Sequence, residues 1–95
     1  MSKIRKAARG EPCLMRLPGV CNGNPETTVL AHIRGSGNAG KGMKPPDVSG
    51  VFACSACHDV IDRREGALRA PVIEIDILYA MLRTHDRLRQ MGLVQ

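Results

Sequence analysis

The sequence predicts a small α+β domain stapled by a metal. Three observations lead there. The chain has 95 residues with one Phe, one Tyr and no Trp, and a core this small usually needs a disulfide or a metal to hold it. It carries four cysteines, two of them as Cys54-x-x-Cys57. Two short strand-like runs are followed by two helix-like segments.

The elements follow in order. Residues 1–10 hold Lys3, Arg5, Lys6 and Arg9 and read as a basic arm, mobile or weakly helical. Residues 11–95 read as a single domain. "EPCLMRLPGVCNGNP", 11–25, is dense in Pro, Gly and Asn and predicts a turn-rich loop containing Cys13 and Cys21. "TTVLAHI", 27–33, is rich in β-branched and apolar residues and predicts a strand. "RGSGNAGKGMKPPD" is a long loop, and long loops in small domains are usually functional or disordered. "VSGVFAC" predicts a second strand. A helix is expected from about Ser55, with Ser55 as its N-cap, to near Gly66. A second helix is expected over 71–92. Leu78, Met81, Leu82, Leu88 and Met91 fall on its inner face, and Arg83, Asp86, Arg87 and Arg89 lie outside. Gly92 ends it.

Compartment decides how the cysteines are used. The basic N-terminus has no apolar run behind it, which predicts no signal peptide and a cytoplasmic protein. No apolar run is long enough to span a bilayer. In the cytosol thiols stay reduced, and cysteine clusters then read as metal sites. Cys54 and Cys57 at a strand–helix junction can aim two thiolates at one ion, and Cys13 and Cys21 complete a tetrahedral, closed, structural Zn²⁺ site. Disulfide or redox use of the cysteines is the alternative. Fourteen Lys and Arg against nine Asp and Glu give a formal net charge of +5. That balance predicts a polyanionic partner, most often nucleic acid. Lys3, Arg5, Lys6, Lys41, Lys44, Arg63 and Arg64 are the clustered cations available to phosphates.

A second ligand set lies beside the first. His58 and Asp62 stand four apart, on one face of the expected helix, and both suit a divalent cation. His32 closes the preceding strand, and the strand–loop–strand–helix order brings it toward His58. The competing reading has His58 capping the helix or packing beside the zinc, and Asp62 pairing with Arg63 or Arg64. His85 reads as surface or packing. "GSGNAGKG", 35–42, matches a phosphate-binding loop except that Gly42 stands where the Mg²⁺-binding hydroxyl belongs, and Pro45 and Pro46 follow where a helix should open. It reads better as a basic loop near a nucleic-acid backbone.

The order of cysteine pair, strand with His32, loop, strand, "CSACH" and helix resembles the HNH, or ββα-metal, endonucleases. More narrowly, "AHIRGSGNAGKGMKPPD" running into "ACSACHDVIDRR" looks like the YbcO family, small nucleases of lambda-like prophages. The resemblance implies a zinc-stapled ββα-metal (HNH-like) domain with a C-terminal helix. It implies that His32 is the general base and that His58 binds a catalytic divalent ion, Mg²⁺ or another. Asp62 falls where some members add a further ligand. Ala31 stands where many carry one more ligand. Ser49 falls near the position of an orienting Asn, and Asp47 is the residue available to replace that Asn or to supply a ligand. The function implied is metal-dependent hydrolysis of DNA phosphodiester bonds. The alternative is a non-catalytic, zinc-containing nucleic-acid-binding module.

Overall fold

Among the described residues, strand formation is confined to six. In the computed structural model, which describes residues 3–33, 47–62 and 74–94, strand β1 (Val29–Ala31) pairs antiparallel with β2 (Val51–Ala53). The register sets Leu30 opposite Phe52 and Ala31 opposite Val51. The sheet is covered on both faces. Ala31, Val51 and Ala53 turn toward the cysteines, with Met15, Leu17, Val60 and Ala80 packed around them. Leu30 and Phe52 turn the other way, into a cluster with Ala8, Leu14 and Leu88. Alternate residues of a strand point to opposite faces, so three residues serve two small cores.

Among the described residues, three helices surround the sheet: α1 (Lys3–Ala8), α2 (Ser55–Asp62) and α3 (Glu74–Gln90). The segment expected as an arm is α1. Its Ile4, Ala7 and Ala8 pack into the cluster around Phe52 while Lys3, Arg5 and Lys6 stay outside. Two 3₁₀ turns, Pro25–Thr27 and Asp47–Ser49, lead into β1 and β2. Gly50 lies between the second turn and β2 and is buried. A Cβ built there would stand 2.7 Å from Leu30 Cδ1 and 3.2 Å from the Ala31 carbonyl oxygen, so the chain passes close to the Leu30 side chain and a larger residue would have to displace it.

Helix α3 departs from the expected inner face. Leu78 and Leu82 are exposed, 48% and 58%, together with Ile75 and Tyr79. The buried positions are Ala80, Thr84 and Leu88, with Ile77, Met81 and Met91 partly covered. Small residues face the sheet because α3 lies close to β2: the Thr84 hydroxyl, fully buried, accepts the Phe52 backbone N–H at 3.1 Å. Arg83 and Arg87, placed outside by the sequence pattern, reach inward at their tips. Arg83 Nε donates to the Leu14 carbonyl at 2.9 Å, and Arg87 pairs with Glu11. The Glu11 contact pushes the Arg87 guanidinium pKa up from its ordinary value.

Helix α3 ends as expected at Gly92, whose φ is +75°. Gly92 donates to the Arg89 carbonyl and Leu93 to that of Leu88, the paired closure that a left-handed glycine makes at a helix end. Among the described residues no helix is long and apolar enough to cross a membrane. Lys41, Lys44, Arg63, Arg64 and the glycine-rich stretch 35–42 lie outside the described residues, as does the Gly66 terminus expected for α2.

Candidate metal centre and candidate active site

The four cysteines converge. Cys13, Cys21, Cys54 and Cys57 place their sulfurs within 4.8 Å of one another. Cys21 Sγ and Cys54 Sγ stand 3.9 Å apart, far beyond a disulfide bond and close to the ~3.8 Å edge of a tetrahedron with ~2.3 Å zinc–sulfur bonds. All four are free thiols, three of them buried. The set fits a metal ion such as zinc.

Backbone amides prepare each sulfur. Arg16 N–H points to Cys13 Sγ at 3.5 Å, made possible by a positive φ of 51° at Arg16. Gly23 serves Cys21 and Leu17 serves Cys57. Cys54 Sγ receives two, from Asn22 and Cys57, each at 3.5 Å. The Cys57 bond corrects the expected cap: Ser55 is the first helical residue of α2, and Cys54, one position earlier, accepts the amide that an N-cap side chain ordinarily takes.

The thiols therefore differ. Burial raises the Cys54 pKa, but the amides of Cys57 and Asn22 outweigh it and bring it down from 9.0 to about 7. Burial dominates at Cys57 and Cys21, and both are raised.

Asn22 was not anticipated. Its side chain donates to Thr27 Oγ1 at 3.2 Å and to Ser55 Oγ at 3.1 Å. It stitches the loop of the first cysteine pair to the start of α2. Its place immediately after Cys21 was the signal present in the sequence, but an Asn in a turn-rich loop has many simpler uses.

The histidines form two pairs. His32, just past β1, sets Nε2 2.7 Å from Asp47 Oδ1. Arg5 Nε, from α1, stands 3.3 Å from each oxygen of the same carboxylate. His32 and Asp47 are mostly covered, with side-chain exposures of 13% and 19%. His58 Nε2 lies 3.1 Å from Asp62 Oδ2, one turn further along α2. Two ligands at right angles around an ion, at ~2.1 Å each, stand ~3.0 Å apart, so this pair has the spacing of two adjacent ligands. Among the described residues, no set of three or more potential ligands besides the four sulfurs is gathered within such a distance. Ala31, where a further ligand could stand, is fully buried toward the sulfur cluster. His85 is exposed on α3.

Comparison with known proteins assigns a family. The model of the family described as "Putative nuclease YbcO" matches residues 2–93. The chain is 57% identical over 84 residues to "Putative nuclease YbcO" of Escherichia coli K12, covering 88% of each chain. It matches "Putative nuclease ybcO" of Enterobacteria phage 82 to the same extent. A solved structure of "a putative bacteriophage protein" from Escherichia coli K-12 is 45% identical, with a TM-score of 0.68 over 95% of this chain and 100% of that one. The chain belongs to the YbcO family.

Proposed function

We propose that this chain is a metal-dependent endonuclease that hydrolyses DNA phosphodiester bonds on a scaffold held by a structural zinc ion. One observation carries the reading. A covered histidine, His32, is hydrogen-bonded to a carboxylate at 2.7 Å, while the helix that packs on its strand presents His58 and Asp62 at ligand spacing. The family's description as nucleases and the net charge of +5 support a nucleic-acid substrate.

The roles follow from the chemistry of each group. Four thiolates fill a zinc ion's coordination and leave no open position, so that centre is structural. Neutral His32 takes a proton from water as the water oxygen bonds to phosphorus. The P–O3′ bond breaks, and the departing oxygen is protonated from solvent, leaving a 5′ phosphate and a 3′ hydroxyl. His58 and Asp62 would hold a divalent ion such as Mg²⁺, which supplies positive charge to the scissile phosphate and the leaving oxygen. Lys3 and Lys6, exposed on α1, and the cations Lys41, Lys44, Arg63 and Arg64 would contact phosphates.

The test is a plasmid-nicking assay with zinc-loaded protein, with and without added Mg²⁺ or Mn²⁺. Nicking that needs the added ion and disappears in His32→Ala supports the reading. A folded, zinc-loaded wild type that cuts neither duplex, single-stranded nor branched DNA overturns it. A second reading, a zinc-containing nucleic-acid-binding module without catalysis, is favoured by the buried Ala31 and by a ligand pair that has no third member among the described residues. It expects salt-sensitive binding with no cleavage.

A further inference from the structure

Helix α3 carries an apolar stripe that the fold leaves open. Ile75, Leu78, Tyr79 and Leu82 recur at helical spacing, which sets them along one face. They are 41%, 48%, 52% and 58% exposed. The opposite face, with Ala80, Thr84 and Leu88 buried, packs on β2 and on the turn Asp47–Ser49. The other large exposed apolar residues among those described, Val29 and Val48, stand singly on other elements. Four half-exposed side chains of this size offer an apolar area on the order of 400 Å², within the range where patches on monomers are often functional. Interfaces are roughly 57% apolar, so a core of that area goes with about 700 Å² per copy, close to the ~800 Å² per partner of a standard interface.

We propose that this stripe is a dimer interface, at which α3 packs antiparallel against α3 of a second copy of this chain. The stripe is self-complementary in that orientation. Ile75 meets the partner's Leu82, and Leu78 meets the partner's Tyr79, so each contact is made twice about a two-fold axis and the assembly closes as a dimer. Charge selects the direction. Asp76 and Arg83 stand one heptad apart and flank the stripe on the same side. Antiparallel packing brings each beside its opposite charge on the other copy. Arg83 can serve both contacts, since its Nε holds the Leu14 carbonyl and a guanidinium carries further donors. Parallel packing would instead set Asp86, exposed further along the same face, beside the partner's Asp86, and like charges in contact are unfavourable. The ion pairs lie at the rim, where they contribute little to affinity; they fix the orientation. None of His32, His58 and Asp62 lies on α3, so the dimer and the nuclease reading stand or fall separately.

Sedimentation equilibrium of the purified full-length chain over a dilution series tests this. The mass should be that of a monomer when dilute and twice that when concentrated, without further growth. Leu78→Glu and Leu82→Glu change exposed side chains, so metal content and circular dichroism should match wild type while each weakens the dimer roughly tenfold or more. Asp76→Lys should weaken it about threefold. In a mixture of ¹³C-labelled and unlabelled protein, isotope-filtered NOE spectra admit only contacts between copies, and they should connect the Ile75 methyls with those of Leu82. Contacts of Leu82 with Leu82 alone would mean parallel packing and overturn the arrangement. A dimer that both glutamate variants leave intact uses another surface and overturns the proposal, as does growth beyond a dimer. Wild type that stays monomeric at every concentration overturns it too, whether a dissolved paramagnetic probe reaches the Leu82 methyls or another part of the chain covers them. None of these readouts involves cleavage, so a failure here leaves the nuclease reading where it was.

Discussion

The two centres of this small domain are built on opposite plans. The cysteine centre gathers four ligands from two distant stretches and meets every sulfur with a backbone amide. The histidine centre consists of two side-chain pairs, His32 with Asp47 and His58 with Asp62, each joined by one contact. The first is complete in its protein ligands. The second, holding a divalent ion as proposed above, would leave coordination positions for water and a phosphate. In the proposed reading, that contrast separates a site that holds a fold from a site that exchanges its occupants. Both depend on one short stretch, since Cys54, Cys57 and His58 lie within five consecutive residues at the β2–α2 junction.

The strongest way to break the contrast is to remove a thiolate. A structural zinc in a small domain supplies about 10–16 kcal/mol of folding free energy. Cys13→Ser or Cys54→Ser should therefore leave the chain largely unfolded, read by circular dichroism and by zinc content. A folded, metal-free wild type would sink the structural-zinc assignment. The next effect is catalytic and should spare the scaffold. His32→Ala should cost ~10²–10⁴ in cleavage rate while zinc content and DNA affinity stay near wild type.

Asp62→Ala should act on the exchanging ion. Apparent affinity for Mg²⁺ or Mn²⁺ should weaken roughly 10–100-fold, the range seen when a metal site loses a supporting group, with partial recovery at high metal concentration. His58→Ala should do the same more severely. Rates that stay flat across metal concentrations in both variants would remove this pair from the site.

Acidification sharpens the comparison more gently. Zinc binding needs all four cysteines as thiolates, so protons compete and affinity falls as pH falls. In the metal-free protein the depressed Cys54 thiol, near 7, contributes stability that is present above 9.0 and is lost as pH falls through about 7. Cys21 and Cys57 are raised, so theirs is present below 9.0 and lost as pH rises through their folded values. Between pH 7 and 9, then, Cys54 hardly competes with zinc while Cys21 and Cys57 do. The fall in zinc affinity should become steeper below pH 7, where Cys54 joins them. A chromophoric chelator competing for zinc across pH 6–8 measures the slope. Smallest of all, Lys3→Ala and Lys6→Ala should each reduce the salt dependence of DNA binding by about one unit of slope.

What could be read in advance follows chemistry more than packing. The cysteine cluster was legible because Cys54-x-x-Cys57 has few other uses in a reduced compartment and the remaining cysteines number two. His58 and Asp62 were legible as a pair because four residues make one helical turn. The positions of Leu78 and Leu82 were not. Helix α3 carries two apolar stripes, and the pattern alone ranks the larger residues first. The sheet instead takes Ala80 and Thr84 because close approach favours small side chains and a hydroxyl can meet the Phe52 amide. The docking of α1 was hidden by its six-residue length, in which Ile4, Ala7 and Ala8 are too few to show a period. The contact of Asp47 with His32 joins two residues that the family resemblance, rather than any local pattern, had singled out. The tie of Asp47 to Arg5, 42 positions away, has no local signal in sequence.

Gly50 gives the domain a vulnerable point that chemistry alone would overlook. It binds nothing and reacts with nothing, yet any side chain there would collide with Leu30 and crowd the Ala31 carbonyl. Relief would require the Leu30 side chain to shift within its cluster and the Ala31 carbonyl to give by a few tenths of an ångström. In a library that randomises every position and selects for cleavage, Gly50 should tolerate substitution less well than the exposed glycines. Intolerance at this position would record clearance between a backbone and the Leu30 side chain packed on it, and a survey ranking residues by intolerance alone would mistake it for a catalytic group.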